Sequence, residues 1–579
     1  MVPRSVLIAP ATRLLVGCCI SVGAGPAWGQ TGTAGDPAPS ASTSLAEPSS
    51  EGSTIQPSNA EPAPDTWGTS TENASDVATS KTQPDSSPGV AVDAAKAPEP
   101  ASTPAQPPDD EASQPAPTDG EDPSHVRYHL ERIEVRGNAR TRSGVILRYL
   151  PFHAGKELDV DDVEFTLARY RLLGTGFFRQ VEFSLRKGSK RGSVVLMVDV
   201  VERNTAVVNG VWMGLSKDAD TNGEKKPLTA YGGIDVSETN LAGTGITLGG
   251  AVGLARDQYA LRLRFLDPSF LGTPWMVSLT LLHNRATDFF GTRDVRWDIP
   301  TDSESTRYAV LPYQRFGGSV GMGRDLSVTS QLWFHYRLET VTANRPSFAM
   351  QNRGGKMEDI EFDILQGRSV FSTVRANFQY DTRDHPFLPT RGWYLTTWGE
   401  LGLLPLGSDY DFQRFDVSAS YYWHKNDSPH VFRLQLFAGA MTGNVPFFEQ
   451  YYVGDFSDKL PDRMLALNVD RRPSWDFLGT AIREVRYGQY AAQIAGEYRL
   501  PVYRGHRSVY GIDLFLWAGV FSVAHRRDLV DPAPNYHGWR RIPIDLTFNA
   551  GFRMDTSAGG VVFSLANVLG ILPGTGGKD

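Results

Sequence analysis

From Ala206 onward, hydrophobic and polar residues alternate with a period of two, segment after segment. In the run Gln331 to Thr340, Leu332, Phe334, Tyr336 and Leu338 fall on one face, with His335, Arg337 and Glu339 on the other. Between Phe412 and Trp423 the apolar face is Phe415, Val417, Ala419, Tyr421 and Trp423, set against Arg414, Asp416, Ser418 and Ser420. Tyr259, Leu261, Leu263 and Phe265 oppose Arg262 and Arg264 in the same way. Successive side chains of a strand point to opposite faces, so each run predicts a strand with an apolar and a polar side. Such runs begin near residues 206, 229, 244, 257, 274, 313, 327, 369, 392, 410, 430, 488, 507, 545 and 560. A soluble sandwich also alternates, but it rarely exceeds about ten strands and turns its apolar face into a small core. Charges on one face, with bulky aromatics at the ends of the other, suit an apolar wall around a polar lumen. The fold predicted is therefore mainly β: a C-terminal transmembrane antiparallel β-barrel over residues 205–579. Bacterial single-chain barrels have even strand numbers, which makes about 16 strands the expectation.

The segment before it reads differently. A strand-like run with Leu130, Ile133 and Val135 ends at the turn signal Arg136-Gly137-Asn138. Thr141–Leu150 then fits a short helix. Asp161–Leu173 fits a second, with Val163, Leu167 and Tyr170 on one side. Strands follow at Phe177–Leu185 and Val194–Val201. The order β-α-α-β-β predicts one small α+β domain over residues 127–204, a three-stranded sheet covered by two helices.

Composition separates what lies upstream. The first 125 residues hold 19 of the 38 prolines, 4 basic and 16 acidic side chains; the remainder carries 53 basic and 49 acidic. The net charge of −8 thus belongs to a tail and gives no reason to expect a nucleic-acid partner. Residues 1–29 read as a secretory signal, with Arg4 and Arg13 basic, Leu14–Gly23 apolar and Ala27-Trp28-Gly29 as cleavage site. An N-terminal anchor, or a lipobox at Leu15–Cys18, is the alternative reading. Residues 30–125 are rich in Pro, Ala, Ser and Thr with little to bury, which predicts a disordered linker. Both cysteines, Cys18 and Cys19, lie inside the signal, so disulfides and thiolate chemistry are not expected of the mature chain.

Ile133-x-Val135-x-Gly137-Asn138, Gly155 and the string Leu172-Leu173-Gly174-Thr175-Gly176-Phe177-Phe178-x-x-Val181 resemble a POTRA domain, the polypeptide-transport-associated module. Gly137 and Gly176 are expected at tight turns, and Phe178 in the core. The string Tyr380-Asp381-Thr382-Arg383-Asp384-His385-Pro386-Phe387-Leu388-Pro389-Thr390-Arg391-Gly392 is a Pro-rich turn that cannot continue a ladder. It resembles the inter-strand turn of the bacterial surface-antigen barrels, which follow POTRA domains in outer-membrane assembly and translocation proteins. That resemblance implies an outer-membrane location in a Gram-negative bacterium with the N-terminal region in the periplasm. It also implies a sheet edge that captures unfolded client polypeptides by strand addition, and a barrel that assists their insertion or passage. Outer-membrane lipid, clients and accessory periplasmic or lipoprotein factors are the partners it suggests. A dedicated two-partner secretion pore and a diffusive porin or structural barrel are the competing readings.

The family carries an inward-folding loop whose Arg, in a Val-Arg-Gly-aromatic motif, contacts acids of the inner wall. Here the loop is expected at residues 443–487, entered by Pro446–Gly454, with no intact motif. Arg463 is the nearest match by position and Arg486 the second candidate; Glu497, with Asp513 sharing its charge, are the acidic partners expected. The usual aromatic-terminated last strand is not evident either. Nothing points to an enzyme: Gly317-Gly318-Ser319-Val320-Gly321 matches a nucleophile elbow in letters but lies within a strand pattern. The eleven histidines show no paired metal spacing, so neither a catalytic or metal site nor a cofactor is expected.

Overall fold

The computed structural model describes residues 19–21, 127–219, 225–291, 296–297, 309–346, 348–353, 355–425, 428–457, 460, 463–469, 476–505 and 507–566. The expected linker, all of the expected signal but Cys19–Ser21, and the chain after Ala566 lie outside the described residues.

Fifteen long strands follow one another in chain order as a single antiparallel sheet. They begin at Ala206, Lys225, Ile246, Gln258, Trp275, Ala309, Ser330, Gly367, Gly392, Phe412, Val431, Tyr490, Val509, Ile544 and Gly559, each within 4 residues of its predicted start. A sixteenth, three-residue member, Cys19–Ser21, pairs with the last strand, Cys19 opposite Ser564. The alternation is as expected. Gln331, Trp333, His335, Arg337 and Glu339 are buried toward the lumen, while Phe334 and Leu338 are exposed on the outside. Phe415 and Trp423 face out, and Arg414, Asp416 and Ser420 face in. Ser319 lies mid-strand, opposite Thr280 and Arg337, so the Gly-x-Ser-x-Gly string is not a strand-to-helix turn.

The first strand (Ala206–Ala219) and the last (Gly559–Ala566) share no ladder. They meet where Val208 N–H donates to Ala558 O at 2.8 Å. We call the barrel end holding this contact, and the turns at 241–246, 325–330 and 381–392, the near rim. The long 443–490 connection lies at the far rim.

The small domain has a four-stranded sheet, in the order Glu157–Asp159, Arg127–Arg136, Ser193–Glu202, Phe178–Lys187. Arg127–Arg136 and Ser193–Glu202 run parallel. The two helices are Ser143–Arg148 and Val163–Gly174, the second capped by Asp162, whose carboxylate accepts from Glu164 N–H at 2.8 Å. The sheet therefore has one strand more than expected: Glu157–Asp159 is too short for its period to show in sequence. The helix face is also corrected. Ala168 and Leu172 enter the core, whereas Val163 is exposed and Tyr170 only half-buried. Tyr170 is turned to the barrel instead, its hydroxyl accepting from Arg391 at 2.6 Å. Gly137 and Gly176 adopt φ of 83° and 73° at their turns, and Phe178 is buried beside Val181 and Leu196.

The domain docks on the near rim. Asn240 Nδ2 donates to Thr141 Oγ1 at 2.8 Å, and Arg142 N–H to Gly243 O at 3.0 Å. Buried Arg171 pairs with Asp325.

Candidate functional site

The far-rim connection turns inward and packs against nearly the whole wall. Phe447, Phe448, Tyr451, Tyr452, Phe456, Met464, Leu467, Ile482 and Tyr487 form one apolar cluster with Phe290, Tyr313, Val341, Phe371, Phe412, Phe521 and Val523 of the strands. Each such ring, once buried, contributes roughly 1.5–3 kcal/mol, which offsets the entropy of ordering a long connection. Polar contacts fix it further: Asn284 Nδ2 donates to Leu465 O at 3.0 Å, Gln258 Nε2 to Asn468 O at 3.0 Å, and Phe477 N–H to Asp545 at 2.9 Å. Gly439 opposes the loop where a Cβ would sit 2.1 Å from Tyr451 Oη, so close approach requires glycine there. The loop crosses the lumen from the 258–290 wall to the 509–556 wall.

The charges that hold it are only in part those the sequence suggested. Glu449, fully buried on the loop, lies 2.9 Å from Arg337, 3.5 Å from Arg315 and 3.8 Å from Arg414, all on the wall. Glu339 and Glu400 complete the cluster, with Arg315–Glu339 at 2.9 Å and Arg375–Glu400 at 3.1 Å. Buried charges persist only when paired in this fashion. No family motif marks Glu449 as a site residue; the signal for it in the sequence is a lone carboxylate between Phe447-Phe448 and Tyr451-Tyr452.

The Arg463 side chain is 6% exposed, and its acidic partner is Asp455 of the loop, not the expected Glu497. Its guanidinium pairs with Asp455 at 2.8 Å and donates to the carbonyls of Phe448 (3.2 Å) and Gln450 (3.3 Å). Glu497 is engaged by wall arginines, Arg553 at 2.6 Å and Arg499 at 3.1 Å. Asp513 takes Arg504 at 2.6 Å and Arg499 at 3.5 Å. Among the described loop arginines, Arg486 reaches a wall acid, 3.6 Å from Asp288. It lies over Tyr452, as Arg463 does.

At the near rim the 381–392 turn folds under the lumen. Asp381 and Arg383 pair with each other at 2.6 Å, and Arg383 stacks on Tyr394. Asp384 accepts from Thr390 N–H at 2.8 Å, and Pro389 O accepts from Arg499. Gly392 has φ 109°, and a Cβ there would lie 2.4 Å from Thr382 O. His385 Nδ1 accepts from the amides of Phe387 (3.2 Å) and Leu388 (3.1 Å), which requires a neutral ring. Burial pushes this imidazole below its ordinary pKa, with Asp555 and Asp384 opposing the fall and Arg203 and Arg504 adding to it. A depressed histidine stabilises the turn fully above its unfolded value, near 6.5, and loses that contribution as pH drops toward the folded value. Amide exchange at Phe387 and Leu388, corrected for intrinsic rate, should therefore quicken below about pH 6.5. His385→Asn, which keeps an acceptor without titrating, should show no such rise; identical pH trends in both proteins would exclude the histidine.

On the small domain, Phe178–Lys187 is an edge strand. Among the described residues it pairs with Ser193–Glu202 alone, and Arg179, Gln180, Glu182, Ser184 and Arg186 along it are exposed. Edges of this length are usually blunted, and the charges here serve that end.

Comparison with known proteins places these features in context. An Omp85 superfamily domain matches residues 240–458. The chain is 24% identical over 345 residues to the outer membrane protein assembly factor BamA of Nitratidesulfovibrio vulgaris, an alignment covering 57% of this chain and 37% of that protein. It thus spans little more than a third of the length of this curated relative. Among solved structures, CdiB from Escherichia coli aligns with a TM-score of 0.47 at 12% identity, covering 76% of this chain and 73% of that one. BamA from Haemophilus ducreyi lacking POTRA domains 1–3 aligns with a TM-score of 0.41 at 15% identity, covering 76% and 80%.

Proposed function

We propose, for a chain that belongs to the Omp85 superfamily, that this outer-membrane barrel is a non-catalytic assembly or translocation factor for unfolded polypeptides. Its small domain, a POTRA-type module, would stand in the periplasm and receive clients by strand addition to Phe178–Lys187. The barrel would then assist their insertion or passage. The observation that carries this reading is the juxtaposition of that unpaired edge with a near rim where first and last strands share no ladder. A diffusive porin needs an open lumen, and the packed 443–490 connection argues against one. Unfolded outer-membrane proteins are the clients favoured, in keeping with the assembly role named for the BamA relative. The test is depletion followed by a census of outer-membrane proteins. Broad loss is expected. Loss of one exported protein alone would replace assembly with dedicated secretion, and an unchanged census would refute both.

A further inference from the structure

We propose that Arg203, Asp555 and the 382–391 turn form a clamp that keeps the near end of the junction between first and last strands closed, with Arg203 as its positioning residue. The proposal deepens the reading above, since it says which residues would control a junction that clients use. Arg203 is the first of the three residues that link the small domain's last strand to the first barrel strand, so it sits between the two bodies. Its backbone N–H donates to Phe177 O of the small domain at 2.9 Å. Its side chain, 1% exposed, crosses the junction: Nη2 donates to Asp555 Oδ1 at 2.9 Å and to Thr556 O at 2.7 Å. Asp555 and Thr556 end the penultimate strand, and the 556–559 turn leads directly into the last. One guanidinium therefore ties the start of the sheet to its end.

The turn seats that guanidinium. The Phe387 ring lies 4.3 Å from Arg203 Cζ on one side and the Tyr510 ring 5.1 Å on another. Phe387 is held there because His385 Nδ1 caps its amide, while His385 Nε2 faces the other oxygen of Asp555 at 3.7 Å. Asn204 adds a hydrogen bond to Ser557 O at 3.0 Å, one residue along. Among the described residues the first and last strands share no ladder beyond Val208–Ala558, and the last strand pairs with Cys19–Ser21 instead, so the direct fastening of the two strands at the near end is mainly by side chains. Because Glu202, next to Arg203, accepts the amides of Arg140 and Thr141 at 3.0 Å and 2.7 Å, rotation of the small domain pulls on the clamp. A client pairing with that domain would thereby loosen the junction.

The test reports opening at the junction itself. Val207 is buried there, against the position a Gly559 Cβ would occupy. In full-length protein in lipid vesicles, Val207→Cys is labelled with a water-soluble maleimide and followed by mass spectrometry of that peptide. Arg203→Met keeps the packing under Phe387 but takes the guanidinium from Asp555, and should speed labelling about tenfold. Asp555→Asn, a milder change, should act in the same direction, and Arg203→Lys should restore slow labelling. Unchanged labelling in Asp555→Asn, or Arg203→Lys as fast as Arg203→Met, in protein that still migrates as a folded barrel when unheated, would overturn the clamp. Faster labelling together with an unchanged outer-membrane census on depletion would uphold the clamp and sink the assembly reading.

Discussion

Replacing Glu449 with alanine is expected to release the inward loop and open the lumen. The carboxylate has no exposure and faces Arg337, Arg315 and Arg414. Removing it leaves three guanidiniums facing one another beside Glu339, Glu400 and Asp416. Breaking a buried pair by deleting one partner costs roughly 3–5 kcal/mol, whereas the intact pair adds little net stability. The folded, fast-migrating form should therefore convert on heating at a lower temperature, and conductance in planar bilayers should rise. Glu449→Gln, which keeps the shape and loses the charge, should fall between. Arg337→Met added to Glu449→Ala should cost less than the sum of the two, because the groups share one network. Strict additivity with unchanged conductance would mean that the loop is held by its aromatic cluster alone.

Phe178→Asp is expected to unfold the small domain while leaving the barrel inserted. Phe178 is 2% exposed, packed on Phe177 and enclosed by the domain's single core. Deleting such a ring costs about 3–5 kcal/mol, and the buried carboxylate that replaces it has no partner. A domain of this size has little stability in reserve. Limited proteolysis of the full-length variant in membranes should cut within residues 127–204 at once, with the barrel still heat-modifiable. Equal protection of variant and wild type would place Phe178 outside the core.

How much of this could be read beforehand depended on period and locality. The barrel was legible because a strand's side-chain period is two whatever its partner, so Leu332–Glu339 or Phe415–Trp423 declared their faces unaided. The 381–392 turn was legible because its prolines and its Asp384–Thr390 bond are local. What holds the loop was not. Glu449 and Arg337 are separated by more than a hundred residues, and no periodicity reports such a meeting. Expecting a loop arginine on wall acids pointed first to Arg463 with Glu497 and second to Arg486; the chain gives Arg463 the local partner Asp455, sets Arg486 near Asp288, and also sets a loop acid, Glu449, on wall arginines. The second helix misled for a related reason: Tyr170 has the apolar spacing of a core residue but is claimed by Arg391 of the barrel.

The central claim is that clients pair with the edge strand of the small domain. A photo-crosslinking residue placed at Glu182 or Ser184, exposed on that strand, tests it in living cells. The account predicts crosslinks to newly made outer-membrane barrel polypeptides, appearing during a pulse of synthesis, fading in the chase, and lost with Phe178→Asp. Absence of such crosslinks from Glu182 and Ser184 in otherwise active protein, or their persistence when Phe178→Asp has unfolded the domain, would contradict it.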